Sequence, residues 1–325
     1  MRSVIRLTGL LAVLVLGHAL AAADGVGERS NQTPDRSQPG PWDNDVLLFR
    51  VTTGARPVLM HTFERAGVPT IARLGDGRLL AAFQHFPLDD DRNFDRVAVS
   101  FSSDDGHTWS RIEPIVVDGM EPGLARPFDP TLVPLADSRV RLYFTSNRSP
   151  DFRRSIPEIH SAISDDGLHY RYEPGIRFAV EGRIVIDCAA ALYNGVFHLI
   201  VPDNGAAADF MAGQRQGRPS PGGNGYHAIS RDGLNFERVA DISLPDTRDH
   251  WLGSVSSLDG RLYFFGTGPG PWPVSSSDGV KWERPASTLR VPGADPGAVK
   301  LADGNWLLIV TGPPRPGTSR ARVIR

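Results

Sequence analysis

After residue 60 one pattern of apolar and polar positions recurs: a short β-type run, a tight turn written D-G, N-G or once D-S, and a second β-type run. The five copies are TIARLGDGRLLAAF (70–83), TLVPLADSRVRLYF (131–144), CAAALYNGVFHLIV (188–201), GSVSSLDGRLYFFG (253–266) and GAVKLADGNWLLIV (297–310). Each reads as a hairpin. A second motif follows the first four hairpins: SSDDGHTW (102–109), ISDDGLHY (163–170), ISRDGLNF (229–236) and SSSDGVKW (275–282). Its Asp and Gly suit a tight turn, its Ser and Asp side chains can bond the turn amides, and its aromatic can pack back on the sheet.

Four units thus carry two hairpins' worth of β-structure, and the fifth ends after two or three strands. The strand it lacks can come from residues 45–60, DVLLFRVTTGARPVLM, which precede the first unit. Joining both chain ends in one sheet closes a ring with no unprotected edge. The predicted fold is all-β, a five-bladed β-propeller over residues 45–325, with inner strands starting near residues 68, 129, 187, 251 and 295.

Composition agrees: 34 Gly and 27 Pro in 325 residues oppose long helices. The formal charge of −2 gives no basic surplus for nucleic acid. Cys188 is the single cysteine, which excludes an internal disulfide and a multi-thiolate metal site. Residues 1–23 place Arg2 and Arg6 before the apolar run LTGLLAVLVLGHALA and small residues, the build of a cleavable secretory signal. Residues 24–44 are polar and rich in turn formers, a flexible spacer. The mature chain is expected outside the cytoplasm, secreted or periplasmic, without a membrane span.

SSDDGHTW matches the Asp-box of sialidases and related bacterial-neuraminidase-repeat (BNR) proteins, and the three later copies are degenerate versions. The box is specific for a propeller turn and sits on the periphery in those proteins. In blade count the chain resembles five-bladed glycoside hydrolases such as arabinanases, β-xylosidases, invertases and fructosidases. These carry carboxylates where inner strands start around a central funnel. FDPTLVPL (128–135) is similar to their D-P-x-x-V opening, and DPGAVKLADGNWLLI in the fifth unit resembles it again. The first unit departs from the pattern: Val68 stands where the resemblance implies a general base.

With the hairpin turn as ruler, Val68, Asp129, Trp251 and Asp295 share the strand-start position; the third unit puts Ile186 there and Asp187 one residue beyond. The ring brings these positions together at one end of its axis. Asp129, before Pro130, and Asp187, a carboxyl amid apolar residues, are the leading chemical pair, Asp129 ionised and Asp187 protonated. Glu181 of the EGR sequence resembles the family's E-G acid and competes with Asp187; Asp249 is a substitute for the missing base. Asp295, followed by Pro296, is a substrate-binding candidate. Arg65, Arg126, Arg183 and Arg248 each lie three residues before their unit's start position, and such forks suit a carboxylate, sulfate or phosphate. His250 and Trp251 could supply a proton carrier and a sugar-stacking face. The segment 205–225 could form a movable rim.

The leading expectation is an exported glycoside hydrolase cleaving a terminal sugar or short oligosaccharide, with an acidic sugar favoured by the arginines. Paired carboxylates would divide the acid and base work. Two other classes stay open: a uronate polysaccharide lyase using Arg with His250 or Tyr226 as base, and a non-catalytic carbohydrate-binding propeller. No cofactor is implied, and a central divalent ion is left open.

Overall fold

The computed structural model describes residues 36–149, 155–212, 223–244, 246, 248–284 and 290–315. A 3-10 turn (Pro41–Asp43) leads into β1 (Val46–Val51) and β2 (Val58–Phe63). Blade 1 is β3 (Ala66–Arg73), β4 (Leu79–His85), β5 (Arg96–Ser102) and β6 (Glu113–Pro114). After β7 (Val116–Asp118) comes blade 2: β8 (Phe128–Pro134), β9 (Val140–Ser146), β10 (Glu158–Ser164) and β11 (His169–Phe178), with β7 added in parallel at its edge. Blade 3 is β12 (Ala189–Tyr193), β13 (Val196–Pro202), β14 (Asn224–Ser230), β15 (Glu237–Arg238) and β16 (Ile242–Ser243). Blade 4 is β17 (His250–Leu258), β18 (Arg261–Thr267) and β19 (Trp272–Ser276). Blade 5 combines β20 (Ala294–Lys300) and β21 (Trp306–Thr311) with β1 and β2.

The chain is an all-β, five-bladed propeller. Ring closure uses the start of the chain as expected, but with two strands: β1 pairs antiparallel with β21 along its length and with β2 on its other side. Middle strands are buried on both faces, as in β4 (LLAAFQH), where only His85 is partly exposed, because each is sandwiched between neighbouring blades. The apolar core is therefore a set of seams. Leu79, Phe83 and Leu307 join blades 1 and 5; Leu80, Leu142 and Phe144 join blades 1 and 2; Tyr143, Phe197 and Leu199 join blades 2 and 3. Ile200, Trp251 and Phe264 join blades 3 and 4, and Phe265 and Leu308 join blades 4 and 5.

The only α-helix among the described residues is one turn, Ala207–Met211. Within the segment read as a spacer, residues 36–44 are folded: Trp42 is 6% exposed in a cluster with Phe86 and Phe94, and Arg36 stacks on Phe94 at 3.9 Å. One aromatic anchor outweighs a turn-rich composition there. The signal segment, the rest of the spacer and residues 213–222 of the suggested rim lie outside the described residues. No helix among the described residues is long and apolar enough to cross a membrane.

Candidate active site

Four of the five inner strands begin with a bulge; β12 pairs without one, and Asp187 precedes it. Pairing with the second strand skips two residues at Val68-Pro69, Asp129-Pro130, Trp251-Leu252 and Asp295-Pro296. Val68, Asp129, Asp187 and Asp295 all take left-handed backbone angles, φ of 49°, 51°, 59° and 48°. The third start position is therefore Asp187 rather than Ile186: the hairpin there is one residue shorter. A bulge re-aims a side chain, as at Asp129 and Asp295, and the left-handed turn at Asp187 does the same without one, so that three carboxylates from three blades line one cavity. Asp adopts this conformation readily; for β-branched Val68 it costs about 1–3 kcal/mol.

Threonine hydroxyls hold the bulges. Thr311 Oγ1 accepts from the Val68 N–H (2.9 Å), Thr145 Oγ1 from the Asp187 N–H (3.2 Å) and Thr267 Oγ1 from the Asp295 N–H (2.8 Å). Each threonine stands at the last or next-to-last position of the second strand of one blade and reaches the next blade's start. Thr311 also donates to Asp295 Oδ2 (3.1 Å), and Thr145 donates to the Asp129 carboxylate. Sequence reasoning passed over these residues, although a signal existed: Thr145, Thr267 and Thr311 each stand eight residues after their turn Asp137, Asp259 and Asp303.

Asp129 and Asp187 are hydrogen-bonded to each other. Both are half-buried, but what remains exposed faces a narrow cavity, so it does little to rehydrate them; Asp295 is 4% exposed. Desolvation is the largest cause raising all three carboxyls above the ordinary range, reinforced by their neighbours' negative charge. The bond from Asp187 favours ionised Asp129, while the same bond holds the proton on Asp187. The pair titrates as one unit sharing a proton. Asp295 is pushed up to about 8, and its Oδ1 is buried with no partner.

The cavity they enclose is lined by Val68, Asp129, Thr131, Asp187, Leu252 and Asp295, among others, and measures about 20 Å³. That holds about one water molecule and not a sugar ring. Among the described residues no three His, Cys, Asp or Glu side chains are grouped so as to hold a metal ion, these aspartates included.

The other expected site residues lie elsewhere. Glu181 is exposed in the loop after β11. Asp249 is buried and paired with Arg284, which stacks on Trp272 at 5.3 Å; it is a loop clamp because an unpaired carboxylate there would be costly. Trp251 is fully buried against Phe264, Trp272 and Trp282, edge to face, and donates to Gly223 O, so no face is left for a sugar. His250 stands beside it, held below the usual histidine range by burial, and does not line the cavity.

Each of the four arginines meets a different local partner. Arg65 donates to Trp42 O (3.1 Å), Arg126 pairs with Asp95, Arg183 binds Asp203 (2.5 Å) and the Tyr226 hydroxyl (3.0 Å), and Arg248 pairs with Asp246 (2.7 Å). Among the four only Arg65 takes a left-handed backbone angle (φ 50°). Asp95, the partner of Arg126, bears on Asp129 through space.

No family model and no curated protein matches the chain. Solved structures do. A family 117 glycoside hydrolase of Zobellia galactanivorans aligns with a TM-score of 0.53 at 12% identity, over 84% of this chain and 92% of that one. An α-L-arabinofuranosidase of Clostridium thermocellum aligns at 0.53 and 13%, over 75% and 80%. An N-acetylgalactosamine deacetylase of F. plautii aligns at 0.52 and 15%, over 79% and 81%. At these identities the likeness is one of fold, and the chain shares the five-bladed β-propeller architecture of these glycoside hydrolases.

Proposed function

We propose that the chain is an exported glycoside hydrolase that removes a terminal sugar or cleaves a short oligosaccharide. The observation that carries this reading is the convergence of Asp129, Asp187 and Asp295 from blades 2, 3 and 5 on one water-sized cavity. The structural neighbours that are glycosidases support it through fold.

The geometry assigns roles differently from a simple acid–base pair. Carboxyls that flank a glycosidic bond stand about 5–9.5 Å apart, whereas Asp129 and Asp187 are close enough to hydrogen-bond. They act as one base: the ionised Asp129 takes a proton from water in the cavity, and Asp187 keeps the shared proton that lets two carboxyls coexist. The water oxygen attacks the anomeric carbon of a sugar seated at the cavity's mouth as the glycosidic C–O bond breaks, and Asp295, protonated near neutral pH, gives its proton to the leaving oxygen. Because the arginines are engaged with local partners, a neutral sugar fits better than an acidic one. The lyase reading loses its support too, since Tyr226 is bound by Arg183 and lies outside the cavity.

The test begins with a screen of neutral and uronate aryl glycosides. On the substrate found, Asp129→Asn and Asp187→Asn should each lower kcat by about 10²–10⁴. Asp295→Asn should lose far more activity on a glycoside with a poor leaving group than on its dinitrophenyl counterpart, which needs no proton. Equal loss on both would remove Asp295 from the acid role, and full activity of the first two variants would overturn the reading.

A further inference from the structure

The seams between blades 2 and 3 and between blades 3 and 4 have the same strand register, so one serves as a control for the other. In blade 2, Arg141, Ser161 and Glu173 occupy three matched positions of β9, β10 and β11. Arg141 makes two 2.9 Å bonds to Glu173, Ser161 adds one of 2.7 Å, and Arg141 donates to Asp232 O in the next blade's turn (2.9 Å). The planar ion pair fills the seam, with the guanidinium over the Phe197 ring.

The matched residues in blade 3 are His198, His227 and Val239. The carboxylate has become an alkyl group, and the guanidinium a second, shorter ring. The space they vacate is an open cleft of about 350 Å³, lined by Tyr193, Val196, His198, His227, Ile229 and Val280 among others. Its size is that of a small-molecule site. His198 Nδ1 and His227 Nε2 share a hydrogen bond of 3.0 Å, and the rings stack at 5.2 Å. His227 is 1% exposed, and its Nδ1 is buried with no partner.

From this we infer that the cleft between blades 3 and 4 is a binding site for an uncharged hydroxylated aromatic ring, a phenol in its simplest form. One proton lies between the two rings, so His227 Nδ1 is a donor when His198 donates to His227 and an acceptor when the bond runs the other way. A phenolic hydroxyl satisfies either state. The apolar walls take the ring where the neighbouring seam holds a planar ion pair. Burial lowers both histidines, His227 to about 4, so the pair is neutral at pH 7. Asp278, whose carboxylate is engaged with the Val280 and Lys281 amides, stands at the rim and disfavours an anion. The site is independent of the axial carboxylates.

Binding of 4-fluorophenol, followed by fluorine NMR, tests the proposal, with 4-fluorotoluene as the ring that lacks a hydroxyl. We expect saturable binding of 4-fluorophenol with Kd of about 1 mM or tighter. The toluene should bind at least tenfold more weakly. His227→Phe should abolish that preference. Should that variant fail to fold, Val239→Trp, at a half-exposed position, should close the cleft and weaken the phenol at least tenfold. Absence of saturation at about 10 mM probe, or binding undiminished by Val239→Trp, overturns the proposal.

Discussion

Aspartate does opposite work at the two ends of this molecule. In the peripheral turns the carboxylate is wrapped in donors: Asp166 Oδ1 accepts the Leu168 and His169 amides (2.8 Å each), Asp232 those of Leu234 and Asn235 (2.8 and 2.9 Å), and Asp278 those of Val280 and Lys281 (2.8 Å each). These bonds hold the carboxyls well below the usual range, Asp104 and Asp278 at about 2. At the axis Asp129, Asp187 and Asp295 have few donors, little water and one another, and all three rise. The residue type is constant. What differs is whether the backbone offers amides to the charge or strips water from it, which separates turn-holding aspartates from those able to carry protons near neutral pH.

Turnover gives the largest expected contrast. Asp187→Asn should reduce kcat by about 10³, whereas Asp104→Asn, far from the axis, should stay within about twofold of the parent. Comparable losses in both would break the comparison, because the peripheral carboxylate would then act in chemistry.

Stability against pH separates the two sets by sign. Asp295 has a folded value near 8 and an unfolded one near 3.8, so its favourable contribution is complete below about pH 4 and is lost as pH rises toward 8. Asp295→Asn keeps an acceptor for Thr311 and cannot ionise. It should therefore melt several degrees above the parent at pH 8.5, with the gap closing by about pH 4 in a series of thermal scans. A variant less stable than the parent at every pH would show that Asp295 is not desolvated in the way described.

The repeats, the turns and the ring closure were legible because the strand period and hairpin spacing are local and recur five times. The axial position of Asp129, Asp187 and Asp295 was legible for the same reason. Side-chain destinations were not. Trp251 shares the start position in register, but it goes into the seam because blade 4 places Phe264, Trp272 and Trp282 there to receive it. The arginines share an offset and yet take different partners, since Asp95, Asp203 and Asp246 come from loops whose paths no repeat encodes. The threonines reverse this: their register was readable, but a hydroxyl that joins two blades has no meaning until the blades are side by side.

Thr145 offers a finer probe of the axial set. Its hydroxyl donates to Asp129 and thereby lowers that carboxyl, while accepting from the Asp187 N–H. Replacing it with the isosteric valine should raise the pKa of the Asp129–Asp187 pair and move the acidic limb of the pH–rate profile up by about one unit. A fall in kcat of about tenfold should accompany the shift, and Thr145→Ser should restore both. A fall in kcat with an unmoved acidic limb would reduce Thr145 to a packing role.

The smallest effect belongs to the periphery, and its pH course identifies it. Asp104 accepts the Thr108 amide (2.8 Å) and hydroxyl (2.6 Å), as well as the Ser102 hydroxyl (2.9 Å), as a charged group. It is this carboxylate, and not the adjoining Asp105 that pairs with Arg73, that holds the first turn. Asn in its place keeps one acceptor oxygen but forfeits the charge, so the bonds weaken without a change of shape. Because the folded value, about 2, lies below the unfolded one, the stabilisation is present above about pH 4 and disappears as pH falls through 2. Asp104→Asn should therefore melt about 2 °C below the parent at pH 7 and together with it near pH 2. The two curves should separate upward from acid, with the variant below the parent, while those of Asp295→Asn and the parent separate with the variant above. An Asp104→Asn curve that ran parallel to the parent down to pH 2 would mean that shape rather than charge holds the turn.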